Sequence, residues 1–228
     1  MDVPESFASG VLANLPETGW FADCSPDLRR EILALARLKS LAAGSVVFRA
    51  GDVGGDLFRI VSGVVTVQCR FTHQDAVLMH MMWPGEWFGT MEVMVERKRN
   101  YTAIARTEVT LLRMPGNELQ ELLRRRPEGI IKLGQHAVYG FDLAMQGAAD
   151  LLIRDASARC AAVLLRLAGR RWDSGPEALL AVEIPAPQSE LAMLCNVSRS
   201  TFSRVMQDFS RRQLVTLTDV VYDPGPTS

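Results

Sequence analysis

Pro187 to Arg212 reads P-Q-S-E-L-A-M-L-C-N-V-S-R-S-T-F-S-R-V-M-Q-D-F-S-R-R, and its arginines carry the clearest chemistry in the chain. An arginine can donate two parallel hydrogen bonds to O6 and N7 of guanine, provided a helix delivers it into the major groove. Ser198 is a helix-capping residue type. On the helix that follows, Phe202, Val205, Met206 and Phe209 share one face, while Arg199, Ser200, Ser203 and Arg204 share the opposite face near the N-terminus. A helix entering a groove N-terminus first offers those side chains to base edges. Arg199, Ser200, Ser203 and Arg204 are therefore expected to read bases, and Gln188, Ser189, Thr201, Arg211 and Arg212 to hold phosphates. Two arginines alone would describe a solvated helix face; the cap, the apolar stripe and the turn before them favour DNA.

The elements that position this helix are legible around it. Glu190, Leu191, Ala192 and Leu194 make a short amphipathic helix, and Cys195-Asn196-Val197 a tight turn in which asparagine accepts a left-handed backbone. Downstream, Leu214, Leu217, Val220 and Tyr222 alternate about Thr218-Asp219 as a short β wing. Upstream, Asp155 caps a helix through Ala162, Leu165 and Leu167 to Gly169; Arg170 to Pro176 reads as a loop and Leu179 to Ile184 as a short strand. Before these lies the longest periodic stretch. Ile131, Gly134, Val138, Phe141, Met145, Ala148 and Leu152 recur at alternating spacings of three and four, a heptad seam that favours a parallel dimer over packing within one chain.

The first half has a different texture. Ser25-Pro26 opens a helix expected to reach about Lys39, with Leu28, Ile32, Leu35 and Ala36 buried. From Ser45 to Met114 short apolar runs (46–48, 57–61, 64–67, 77–81 and 110–114) alternate with Gly, Asp and Pro, as in a many-stranded β unit. The run at Val77 is apolar at both parities and is expected to be buried on both faces. Leu119, Leu122 and Leu123 mark a further helix that stops at Pro127.

Composition sets bounds. The 228 residues are 48% hydrophobic and 22% charged, enough for two folded domains, and the net charge of −1 means that any nucleic-acid contact is local. No run approaches the roughly 20 apolar residues of a membrane span, and a cytoplasmic location is expected. Cys24, Cys69, Cys160 and Cys195 are too scattered for a zinc or iron–sulfur framework. His73 and His80 with Glu86 would be the ligands of a cupin-like metalloenzyme, but a spacing of seven puts the histidines on opposite faces of a strand. Cys69 and His73 are the candidates for haem or redox sensing. A ligand-binding module without DNA contact is a further alternative.

Taken in order, these residues resemble the Crp/Fnr family of bacterial transcription regulators over nearly the whole chain, Phe21 to Pro224. Gly51-Asp52 followed by Asp56 to Val65 is similar to the family's β-roll hairpin, Pro84 to Gly89 to the entry of its phosphate cassette, Asp155 to Ala161 to its hinge, and Val197 to Arg204 to its recognition helix. The resemblance implies an α+β fold: an N-terminal arm (1–20), an antiparallel, jelly-roll-like β-roll sensor domain (21–127), a dimerisation helix (128–154) and a winged helix-turn-helix (155–228), with Asp155 as hinge. It also implies a homodimer on a palindromic double-stranded operator, contact with RNA polymerase, a possible small-molecule effector and no enzymatic activity. The implied effector pocket comprises Gly89, Thr90, Arg99, Asn100, Ala144 and Met145. In cyclic-AMP-binding members a Glu follows the cassette glycine and binds ribose, and an Arg pairs with the cyclic phosphate. Here Thr90 replaces that Glu and Ala144-Met145 replaces the polar pair facing adenine, which argues against cyclic AMP and leaves no certain cofactor. Members with a cyclic-AMP-type operator carry Glu where this chain has Ser200, so the preferred half-site is expected to differ at that base pair.

Overall fold

The computed structural model describes residues 19–69, 76–95, 97–170 and 181–217. They fall into two units, 19–69 with 81–141 and 76–80 with 142–217. The first begins with α1 (Gly19–Ala22) and α2 (Pro26–Ala34), where the Ser25 side chain accepts from the Leu28 N–H at 3.3 Å and Pro26 occupies the first turn. Leu28 and Ile32 are fully buried. The helix stops at Ala34, short of the expected Lys39. Arg37 to Leu41 is drawn out instead as strand β1, paired antiparallel along β8 (Val109–Met114) from Arg37 opposite Arg113 to Leu41 opposite Val109. Tertiary pairing overrides local helix propensity here.

Among the described residues, eight strands form two four-stranded sheets. With β2 (Val46–Phe48), β3 (Leu57–Ser62), β4 (Val65–Cys69), β5 (Val77–Met82), β6 (Trp87–Phe88) and β7 (Thr102–Ala105), the orders are β1-β8-β3-β6 and β2-β7-β4-β5. The central strands β3 and β8 show why both parities are apolar. Phe58, Ile60, Val109 and Leu111 face the second sheet, packing with Phe48, Val65, Met82 and Phe88. Leu57, Leu112 and Met114 face the opposite way, onto α1, α2 and α4 (Gly116–Arg125) through Trp20, Phe21, Leu28 and Leu119. A residue shift of one would exchange these two cores. Arg59 also lies on the helix side, fully buried, with its guanidinium 5.5 Å from the Trp87 ring centroid and 5.9 Å from that of Phe21. Strand β5 departs from the expected two-sided burial: Leu78, Met81 and Met82 are buried but Met79 is exposed, β5 being the outer strand of its sheet.

Helix α5 (Pro127–Leu151) passes from the first unit into the second. There α6 (Ala156–Leu167) starts at Asp155, whose side chain accepts from Ala158 N–H at 2.7 Å, and is followed by Gly169 in the left-handed region at φ +68°. Its Arg166 makes a buried ion pair with Asp150 of α5 at 2.9 Å and donates to the Met79 carbonyl at 3.5 Å. The short strand expected at Leu179 to Ile184 is not formed over 181–184, where Pro185 and Pro187 follow at once; its first two residues lie outside the described ones. The wing expected over Gln213 to Tyr222 is not a strand over its described part, 213–217, and the rest lies outside.

His80 is held neutral within the second unit. Burial, with Arg166 adding repulsion, lowers its pKa from 6.5 to about 3, and its Nδ1 is sealed from solvent without a hydrogen bond. An unfolded chain binds a proton below pH 6.5 that the folded chain refuses, so this histidine's contribution to stability is present above that pH and is lost as pH falls toward 3. Its share of the slope reaches about 1.4 kcal/mol per pH unit. Urea melts of wild type and His80→Gln between pH 7 and pH 4 should therefore diverge, the variant losing stability less steeply on acidification; parallel curves would contradict the assignment.

Candidate nucleic-acid interface and effector cassette

Helix α7 (Gln188–Leu194) and helix α8 (Arg199–Arg211) are joined by a turn in which Asn196 adopts φ +51°. The Ser198 hydroxyl accepts from Thr201 N–H at 3.1 Å and lies 2.9 Å from Thr201 Oγ1 and 3.0 Å from Ser200 Oγ, so one cap orders the first turn of α8. Phe202, Val205, Met206 and Phe209 are buried as expected, which fixes the roll of the helix. Arg199, Ser200 and Arg204 are exposed and Ser203 half-buried on the opposite side. Arg199 and Arg204 make no ion pair among the described residues, whereas Arg211 and Arg212 both approach Asp208, at 3.5 and 3.6 Å. Ser189 is exposed, and Gln188 and Thr201 are half-buried, at the start of their helices.

Sequence reasoning overlooked Arg159. From α6 its Nε donates to the Cys195 carbonyl at 2.8 Å and its Nη2 to the Asn196 carbonyl at 3.4 Å, while Nη1 holds the Ile153 carbonyl. One guanidinium thus ties the helix-turn-helix turn to the segment just before Asp155. The only local signal was an arginine on the otherwise small, apolar first turns of α6.

Along α5 and one residue past its end, Ile131, Val138, Phe141, Met145 and Leu152 are exposed in the single chain, Phe141 at 64% and Leu152 at 82%, and Ala148 is exposed with them. Gly134 is half-buried: a Cβ there would meet Met94 at 3.6 Å.

The cassette lies in the first unit. Gly89 precedes α3 (Thr90–Met94) at φ +89°, and a Cβ on it would stand 2.6 Å from the Asp56 carbonyl and 2.9 Å from Arg99 Nη1, so only glycine fits. Arg99 is 5% exposed. Its Nη1 donates to Glu92 Oε2 at 2.7 Å and to the Gly89 carbonyl at 3.3 Å, its Nη2 to the Asp56 carbonyl at 2.7 Å, and Phe48 lies under it at 4.2 Å. Its main chain is clamped as well, through Gly51 N–H and the Asp52 carbonyl. Glu92 was not among the expected pocket residues; the signal available was a single carboxylate inside the apolar run Thr90 to Met94. Nearby, burial and the Glu92 charge push the Tyr101 phenol far up. Asn100 is exposed, and Ala144 and Met145 lie on an exposed face of α5 in the second unit. A cavity of about 320 Å³ lined by Lys39, Phe48, Asp52, Asp56, Phe58, Arg99 and Arg113 opens beside Arg99. A cyclic nucleotide's phosphate does not fit this donor set, because the guanidinium that would pair with it is already matched by Glu92.

Of the residues considered for metal or haem, His73 lies outside the described residues; His80 is the neutral histidine above, and burial raises the Cys69 thiol's pKa. Among the described residues no cluster of His, Cys, Asp and Glu could hold a metal ion.

Two family models match: a cyclic nucleotide-binding domain over residues 38–126 and a Crp-like helix-turn-helix domain over 158–222. The chain is 30% identical over 178 residues to the cyclic AMP receptor protein of Thermus thermophilus, covering 76% of this chain and 77% of the relative. It is 27% identical over 203 residues to a CRP-like cAMP-activated global transcriptional regulator of Mycobacterium tuberculosis, covering 89% and 90%. Among solved structures, the c-di-GMP responsive global regulator CLP of Xanthomonas campestris matches with a TM-score of 0.66 at 22% identity, over 85% of this chain and 96% of that one.

If the buried stripe sets the pose of α8, truncating it should cost far more than loosening its cap. Phe202→Ala is expected to lower unfolding stability by about 3 to 5 kcal/mol, against about 1 kcal/mol for Ser198→Ala, both read from denaturant titrations. Equal, small effects would mean that the stripe is not what holds the helix.

Proposed function

Because the chain belongs to the Crp/Fnr family of transcription regulators, we propose that it acts as a homodimer whose two α8 helices enter successive major grooves of a palindromic operator. The observation that carries this reading is the pair Arg199 and Arg204, exposed and unpaired among the described residues on the first turns of a helix whose other face is buried. In the proposed complex the two arginines read guanines, Ser200 and Ser203 contact neighbouring base edges, and Gln188, Ser189, Thr201, Arg211 and Arg212 grip phosphates. Pairing along Ile131, Gly134, Val138, Phe141, Met145, Ala148 and Leu152 would set the helices about 34 Å apart, one turn of DNA. The exposure of this apolar stripe in the single chain supports that role.

The mechanism is then a transmission. A change in the β-roll alters the bend or register of α5, Asp155 and Arg159 pass it to the helix-turn-helix, and docking changes. We propose further that the bound dimer acts on transcription through RNA polymerase, and that any effector is a small molecule other than cyclic AMP. No helix among the described residues is long and apolar enough to cross a membrane, in keeping with a regulator that meets DNA in the cytoplasm.

Operator selected from a random duplex pool should lose affinity with Arg199→Ala or Arg204→Ala by about 1 to 3 kcal/mol each and with relaxed preference at one base pair; undiminished binding would reject the assignment. Log affinity should also fall steeply and linearly with log salt as counterions are released. Separately, Phe141→Asp should shift the protein toward monomer in analytical ultracentrifugation and weaken operator binding with it. A variant that stays dimeric would place the interface elsewhere.

A further inference from the structure

The cassette holds an arginine whose counter-charge comes from its own chain, and this has a chemical consequence for what can bind there. Arg99 and Glu92 meet at 2.7 Å with side chains 3% and 1% exposed. Both are fixed. Glu92 sits on α3 between buried Thr90 and buried Val93, and Arg99 is held by two carbonyls, an aromatic face and main-chain hydrogen bonds on either side. A buried guanidinium without compensation would be strongly destabilising. Here much of that compensation comes from a carboxylate built into the chain.

We infer that Glu92 is a resident anion that ligates Arg99 in place of a nucleotide phosphate, so that the cassette excludes cyclic nucleotides and inorganic anions. An incoming phosphate has to share one guanidinium with a buried carboxylate, and the repulsion between the two acts in a medium that screens it poorly. Displacing Glu92 offers no relief, because the carboxylate has no solvent to move into. Glu92 Oε1 is also buried without a partner, and it can only accept, as can the oxygens of a phosphate. The inference rests on residues 89–101 being the family's cassette but does not depend on DNA contact, so its failure and that of the operator reading are separable.

The test uses the full-length protein and reads ligand binding directly, by calorimetric titration and by melting temperature with cyclic AMP, cyclic GMP and inorganic phosphate. Wild type should give no binding heat and no shift. Glu92→Gln keeps the side-chain shape and removes the charge, leaving Arg99 in want of an anion. It should melt lower than wild type in anion-poor buffer, regain stability as phosphate or nucleotide is added, and bind at least about tenfold more tightly than wild type. Should that variant not be recovered folded, Glu92→Ala, which also removes the carboxylate, must show the same upward shift with phosphate. Two outcomes overturn the proposal: stoichiometric binding of either cyclic nucleotide by wild type, or a folded Glu92 variant whose melting temperature is indifferent to all three anions. The double variant Glu92→Met with Arg99→Met, lacking both charges, should respond to none of them; a response equal to that of Glu92→Gln would locate the anion site elsewhere and also reject the inference.

Discussion

A guanidinium taken out of water must find its compensation in the fold, and Arg59, Arg99 and Arg166 impose that condition at three places. Arg59 is buried among the aromatic rings of Trp87 and Phe21, where the central β sheet meets the N-terminal helices. Arg99 closes the cassette onto Glu92. Arg166 joins α6 to Asp150 of α5 and reaches the Met79 carbonyl. Removing either member of the two ion pairs would strand the other, at a cost of about 3 to 5 kcal/mol.

The DNA-binding unit uses a different economy. The exposed face of α8 is free because everything behind it is not: four apolar residues fix the roll of the helix, Ser198 fixes its first turn, and Arg159 ties the preceding turn to the backbone just before Asp155. Base recognition tolerates little angular error, since two parallel hydrogen bonds must reach one guanine edge. Rigidity behind the helix is therefore part of specificity.

What could be read from the residues alone follows physical lines. Helix starts were legible at Ser25, Asp155 and Ser198 because a cap is a local interaction, decided within four residues. The left-handed Asn196 and the stripe on α8 were legible for the same reason. Strand β1 was not: Arg37 to Leu41 has no clean alternation, and only the remote strand β8 makes it extended. Strand β7, built from Thr, Ala and Ile, lacks the large apolar residues that mark a strand, and α3 is too short to show a period. The cassette was legible in its glycine and its arginine, but Glu92 stands seven residues from Arg99, and only the fold turns that separation into a 2.7 Å contact. The absence of a carboxylate at position 90 was visible; the ion pair between position 92 and Arg99 was not.

The exposed stripe on α5 carries a further implication. A chain that leaves Phe141 and Leu152 bare when alone makes its fold a function of how many copies share the volume, since partner binding adds to stability by mass action. Dilution then acts as a denaturant, and synthesis as a stabiliser. For a regulator that pairs through this stripe as proposed, the number of chains becomes an input in its own right, registered by the helix that would hold the two copies together.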